Sequence, residues 1–148
     1  MPKSTNSLVF PDINVWLALT YERHAHHSIA NTWLQKLAED IQVCFCRFTQ
    51  LGLLRLLTTE AVMGPDAVLT NSEAWRVYDT CMSDGRTLFL EEPPGIELRF
   101  RSRTWEKRSS PKDWGDAYLA AFAEDAGLRL VTFDQALQKK STDALLLA

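Results

Sequence analysis

The sequence predicts an α/β fold: a mostly parallel sheet covered by helices on both faces. Three observations predict it. Short apolar runs alternate along the chain with longer segments of helical period. Two of the runs, Leu8–Phe10 and Leu128–Val131, lead into an aspartate just past their C-terminal ends, Asp12 and Asp134. The 148 residues, 46% of them apolar, suffice for a real core, and no linker, internal repeat or low-complexity stretch divides them. One domain over residues 1–148 is therefore expected.

Each element follows from local chemistry. Leu8-Val9-Phe10 reads as a short buried strand that stops at Pro11, which has no N–H to give to a ladder. Asn14 to Tyr21 is apolar at helical spacing, a first helix on the sheet. From Ser28 to Asp40, the spacing of Ile29, Trp33, Leu34 and Leu37 predicts an amphipathic helix. Ile41 to Cys46 reads as a second strand, and Thr49 as the N-cap of a helix running to about Thr58. Gly64-Pro65-Asp66 is a turn. Ser72 opens a helix through Trp75, Tyr78 and Cys81 that Asp84-Gly85 ends, and Thr87 to Leu90 is a third strand. Pro93-Pro94-Gly95 breaks the chain before a helix from Ile96 to about Lys107. Ser110-Pro111-Lys112-Asp113 is the clearest helix start, with Ser110 as N-cap and Pro111 at the first helical position. That helix runs to Gly127, a natural stop, and Leu128 to Val131 is a fourth strand. A short helix follows from Asp134 to Lys140, and Ala144 to Leu147 can add an edge strand.

Composition excludes several function classes. The net charge of −3 makes the whole chain no electrostatic magnet for nucleic acid, so any such binding needs a local basic patch. Cys44, Cys46 and Cys81 read as buried apolar residues rather than disulfide partners or metal ligands. Met1 to Ser7 is short and polar, without the apolar core of a secretory signal, so a cytoplasmic location is expected. No run approaches the ~18 apolar residues of a membrane span. His24, His26 and His27 are the only histidines, two of them adjacent, and read as a helix-entry segment rather than a zinc site. Their isolation argues against metal-free ribonuclease chemistry, which commonly needs a histidine acid–base pair. There is no G-x-G-x-x-G and no Walker loop.

The aspartates carry the chemistry. Parallel strands put the ends that hold Asp12 and Asp134 on one rim, where ligands bind in open α/β sheets. Asp113 and Asp116 lie three residues apart at the start of the helix that feeds the Asp134 strand, so they share a face near the same rim. Carboxylates so gathered repel one another, and Mg²⁺ or Mn²⁺ relieves this, since these hard ions take oxygen ligands and keep several waters. Such an ion acidifies water for attack on phosphorus and stabilises the departing oxygen. The plainer reading leaves Asp12, Asp113 and Asp134 as helix caps.

Four stretches together resemble the PIN-domain ribonucleases, and more closely the VapC-type toxins of toxin–antitoxin pairs. They are VFPDINVWLAL from Val9, TQLGLLRLLT from Thr49, WGDAYLAAFA from Trp114 and LVTFD from Leu130. The resemblance implies a three-layer α/β/α PIN-like fold and an endoribonuclease that depends on Mg²⁺ or Mn²⁺ and leaves a 5′-phosphate and a 3′-hydroxyl. It also implies a homodimer and a cognate VapB-type antitoxin. The family's acidic positions map to Asp12, Asp116 and Asp134 as metal ligands, with Asp113 at an extra polar position on the same helix turn. Asn14 and Thr132 match polar positions that orient the ligands. One departure stands out. The family usually carries a glutamate in the helix near Thr49, and Gly52 occupies its likely place. Glu60 lies about 12 Å further along a helix axis, and Gln50 is uncharged.

Arg99, Arg101, Arg103, Lys107, Arg108 and Lys112 form the one basic concentration, and it ends beside Asp113. Arg99, Arg103 and Lys107 at i+4 spacing would line one helix face. Arg103, Lys107, Arg108 and Lys112 are the candidates for contact with an RNA backbone. Trp105 and Trp114 are expected in core or dimer packing rather than stacked on bases. The expected function is a metal-dependent endoribonuclease. Its alternatives are a PIN-like module that binds RNA or a protein without cutting, favoured by Gly52, and a phosphoryl-transfer enzyme with Asp12 as nucleophile, disfavoured by Asn14.

Overall fold

The computed structural model describes residues 7–148. Of the polar N-terminal segment read for a signal sequence, Met1 to Asn6 lie outside the described residues. The elements in order are β1 (Leu8–Pro11), α1 (Ile13–Thr20), α2 (His27–Lys36), β2 (Gln42–Phe45), α3 (Arg47–Leu57), α4 (Glu60–Met63), α5 (Asn71–Ser83), β3 (Thr87–Phe89), α6 (Ile96–Thr104), α7 (Asp113–Ala126), β4 (Arg129–Thr132), α8 (Gln135–Lys140) and β5 (Ala144–Leu146). The five strands form one sheet in the order β3-β2-β1-β4-β5, and every pairing is parallel. The order runs outward from β1 to β3, then returns to the other side of β1, so the direction of winding switches between β1 and β4.

Strand alternation sorts the core into two layers. Val9, Val43, Phe45 and Val131 face the helices α1, α3 and α5, with Trp16 stacked on Phe45 at 3.7 Å. Phe10, Cys44 and Leu130 face the other way, against Leu119 and Phe122 of α7, with Phe10 stacked on Phe122 at 5.0 Å. Cys44 and Cys46 are free, buried thiols in that second layer, as expected. Among the described residues no helix is long and apolar enough to cross a membrane.

Four expectations shift. Pro11 belongs to β1, paired with Val131. The ladder continues because Asp12 donates to the Val131 carbonyl at 2.9 Å, while alternation turns the Pro11 nitrogen toward β2, beyond the Val9–Val43 pairing. Thr49 is not the N-cap of α3. Cys46 holds that place, and the Thr49 hydroxyl, one turn in, accepts from the Cys46 N–H at 3.0 Å. Likewise α7 begins at Asp113 rather than Pro111, because Pro111 and Lys112 form a turn closed by Asp113 N–H to the Ser110 carbonyl. Finally α6 ends at Thr104, so Lys107 lies beyond the helix whose face it was expected to share. Gly127 ends α7 as expected, at φ 70, a left-handed conformation that favours glycine.

Candidate active site

The switch between β1 and β4 positions the acidic residues. Phe10 pairs with Leu130 and Pro11 with Val131. The same register carried one step further sets Asp12 beside Thr132, and alternation points both toward the layer that holds α7. Thr132 is fully buried, and its hydroxyl donates to Asp12 Oδ2. That hydroxyl in turn accepts from the Asp134 N–H at 2.9 Å. Asp12 Oδ1 accepts from Val15 N–H at 2.9 Å and so caps α1, while Asp134 Oδ1 accepts from Ala136 N–H at 2.8 Å and caps α8. The helix-cap reading therefore holds for both residues, and it uses one oxygen of each. A continuous chain of hydrogen bonds runs from Asp134 through Thr132 to Asp12.

Asp12 is only 6% exposed. Burial pushes its carboxyl up to about 6, against the lowering effect of the bonds from Thr132 and Val15, and the charges of Asp116 and Asp134 push the same way as burial. Asp116, one turn into α7, is also raised by burial. Nearby Lys140 opposes that rise, and Asp134 and Asp113 add to it. Asp116 accepts no hydrogen bond from any described residue, which leaves both its oxygens free to bind.

Asp113 is held differently. It accepts hydrogen bonds from the Ser110 hydroxyl and from Lys140 Nζ, the latter at 3.2 Å, and these two donors hold its carboxyl below the usual range. It stands beside Asp116 rather than beside Asp12. Lys140 was not foreseen. It closes α8, 24 residues past Asp116, and only the packing of α8 beside α7 brings its ammonium to Asp113. Asn14 is exposed in the first turn of α1 and makes no hydrogen bond with a described residue.

The glycine of α3 lies against α1. A Cβ at Gly52 would stand 2.2 Å from Ile13 Cδ1, 2.7 Å from Cγ1 and 3.2 Å from Cγ2. The space a family glutamate would need is thus filled by the residue that follows Asp12. Gln50 is buried and turned to Arg47, whose guanidinium donates to Gln50 Oε1 at 2.6 Å.

Among the described residues no group of three or more His, Cys, Asp and Glu side chains is closed enough to hold a metal. The donor chemistry fits an open site. Asp12, Asp116 and Asp134 all offer carboxylate oxygens, Asp116 accepts no hydrogen bond from a described residue, and the charges of Asp116 and Asp134 add to the raised proton affinity of Asp12. Such a set suits a hard divalent ion that keeps much of its water.

The basic run is partly spent within the fold. Arg99 pairs with Asp125 at 2.8 Å and with Glu124 at 2.9 Å. Arg103 pairs with Glu124 at 3.3 Å and donates to the Lys140 carbonyl. Arg108 pairs with Glu106 at 3.1 Å. Lys107 and Lys112 are exposed and pair with no described residue. The histidines serve packing: His27 Nδ1 lies 2.7 Å from the Ala18 carbonyl, and His26 stacks on Phe133. Core packing of the two tryptophans is overturned, since Trp105 is 82% exposed and Trp114 55%. Both lie at the outer edge of the α6–α7 layer, where the loop between the helices leaves them uncovered.

Comparison with known proteins agrees with this geometry. Residues 9–142 match the PIN domain family. Ribonuclease VapC41 of Mycobacterium tuberculosis is 43% identical over 128 residues, which cover 84% of this chain and 88% of that protein. Ribonuclease VapC39 of the same organism is 28% identical over 134 residues, 90% and 94% of the two chains. The crystal structure of Mycobacterium tuberculosis VapC20, a sarcin-ricin loop cleaving toxin, matches with a TM-score of 0.63 at 18% identity, over 88% of this chain and 93% of that one. VapBC2 of Rickettsia felis, bound to a DNA fragment from its promoter, matches with a TM-score of 0.66 at 9% identity, over 95% and 99%. These two likenesses concern the fold. With most of its length matched by the family and a close relative in VapC41, the chain belongs to the PIN-domain proteins of the VapC kind.

Proposed function

We propose that this chain is a divalent-metal-dependent endoribonuclease, a hydrolase of phosphodiester bonds, and the toxin half of a VapB–VapC type pair. The observation that carries the reading is the buried Asp12, fixed by Thr132 and Val15 and flanked by the charges of Asp116 and Asp134 at the switch between β1 and β4. Asp12, Asp116 and Asp134 would hold Mg²⁺ or Mn²⁺. When bound, that ion would supply the positive charge and Lewis acidity that phosphodiester hydrolysis needs.

The chain's own residues set the geometry. Val15 N–H and the Thr132 hydroxyl fix both oxygens of Asp12, so its carboxylate cannot turn away from the rim. Asp116 presents two free oxygens from the first turn of α7. Asp113, restrained by Ser110 and Lys140, supports that turn from outside. Asn14 stands at the mouth as a further polar group. RNA is the substrate, as the named ribonuclease relatives support. A VapB-type antitoxin is the partner, in line with the VapBC2 complex of Rickettsia felis. We further read the chain as one domain over residues 1–148, acting as a homodimer in the cytoplasm.

The test is cleavage of RNA with Mg²⁺ or Mn²⁺. Excess EDTA and Asp12→Asn should each abolish it. Cleavage that persists in EDTA would overturn the mechanism. A second reading, a PIN-like module that binds without cutting, rests on the absence of an α3 carboxylate at Gly52 and on Ile13 in its space. Cleavage confined to a Gly52→Glu, Ile13→Ala double variant would support that reading.

A further inference from the structure

We propose that the loop between α6 and α7 and the first turn of α7 form a subsite for one unstacked nucleotide of single-stranded RNA, with Trp114 as the platform for its base. The proposal rests on the ribonuclease reading and adds where the strand lies beside the acidic rim.

A cavity of about 380 Å³ is lined by Arg103, Arg108, Ser109, Ser110, Asp113 and Trp114. Its size falls within the range of small-ligand clefts. A second hollow of about 370 Å³ is lined by the same tryptophan together with Phe100, Arg101 and Trp105. Trp114 thus lines both hollows, with its ring 5.9 Å from that of Phe100 at 61° and more than half its surface in water. A rigid aromatic so placed offers a π-face that any base can use.

The position and the polarity of the cavity favour RNA over a protein face. Asp113 belongs both to the cavity wall and to the acidic turn that carries Asp116. A strand that leaves the rim past Asp113 therefore enters the cavity that Trp114 lines. The wall sets Arg103, Arg108 and the hydroxyls of Ser109 and Ser110 beside the apolar faces of Trp114 and Pro111, the mixture that a base and its phosphate need. Of its two acids, Asp113 is paired with Lys140, and Glu106 is exposed, so water screens it when Arg108 turns away. Arg108 is 73% exposed, so its pairing with Glu106 is weak and its guanidinium is free to swing to a phosphate. Lys107 and Lys112, each next in sequence to residues of the wall, are exposed.

The experiment uses the full chain and a labelled single-stranded oligoribonucleotide. Binding is read by fluorescence anisotropy in EDTA, where no metal-dependent cleavage occurs, and KM and kcat are read with Mn²⁺. Trp114→Ala should weaken binding about tenfold, as loss of one stacked base does, and raise KM by a similar factor with kcat within about threefold. Trp114→Phe, which keeps a π-face, should retain most of the affinity. Arg108→Ala should reduce the salt dependence of binding by about one counterion. Binding and KM within twofold of wild type in Trp114→Ala would overturn the subsite and leave the ribonuclease reading intact. A Trp105→Ala, Trp114→Ala variant with unchanged RNA affinity but a halved mass in solution would also overturn it, by assigning this face to a second copy of the chain. If the wild-type chain neither binds RNA nor cuts it with Mn²⁺, the ribonuclease reading falls, and the subsite with it.

Discussion

Replacing Gly52 tests how α3 holds the residue next to the acid site. A methyl group there would meet three carbons of Ile13, the nearest at 2.2 Å, and the branching of isoleucine means that no single rotation clears all of them. Overpacking of this kind costs about 1–3 kcal/mol. Against that, alanine in place of a helix-interior glycine recovers about 1 kcal/mol. Gly52→Ala is therefore expected to lower stability by about 1 kcal/mol, and Gly52→Glu by more, since it adds a charge to the same space. Ile13→Ala removes all three obstructing carbons. In a double-mutant cycle measured by urea unfolding in EDTA, the pair should lose less than the sum of the single losses, by about 1–3 kcal/mol. A Gly52→Ala variant more stable than wild type by about 1 kcal/mol, with coupling within about 0.5 kcal/mol of zero, would refute the reasoning.

Three further predictions concern the acids. Thr132→Val keeps the shape but strips the donor from Asp12 and the acceptor from Asp134. It should destabilise by about 1–3 kcal/mol in urea unfolding and weaken Mn²⁺ binding about 10–100-fold by titration calorimetry. Metal-free stability should depend on Asp12, which holds its proton more tightly folded than unfolded. The favourable contribution is complete below about pH 4 and is lost as the pH rises to about 6, a change on the order of 3 kcal/mol. Denaturation in EDTA across that window should show the fall, and Asp12→Asn should flatten it. Saturating Mn²⁺ should raise the melting temperature by selective binding to the folded chain. Asp116→Asn should remove most of that rise, and an undiminished rise would take Asp116 out of the ion's site.

Much of the site was legible because it is built from strand ends. A proline followed by aspartate after three apolar residues, and a threonine two residues before another aspartate, mark two lips of one parallel sheet. Two conditions were not legible. One is the hydroxyl of Thr132 between the two aspartates, which depends on a register that no local pattern encodes. The other is Lys140, whose sequence position gives no hint that α8 packs beside the start of α7. Helix starts misled where proline competes with a turn. Ser110 looked like an N-cap, and instead its hydroxyl is committed to the Asp113 side chain. The tryptophans misled for another reason. Aromatic residues are expected inside, and exposure is decided by what the neighbouring loop fails to cover. The basic run looked like one helix face, but α6 stops short of Lys107, and α7 supplies the acids that consume Arg99 and Arg103.

The seam between β1 and β4 also governs when the acidic rim can exist. Asp12 is synthesised 120 residues ahead of its threonine partner and must wait for it. Any product of interrupted translation that stops before β4 has no Thr132, no Asp134 and no α8 to bring Lys140 home. Whatever chemistry the rim performs is therefore withheld from any fragment that stops before β4 and begins only once that strand has emerged and paired with β1.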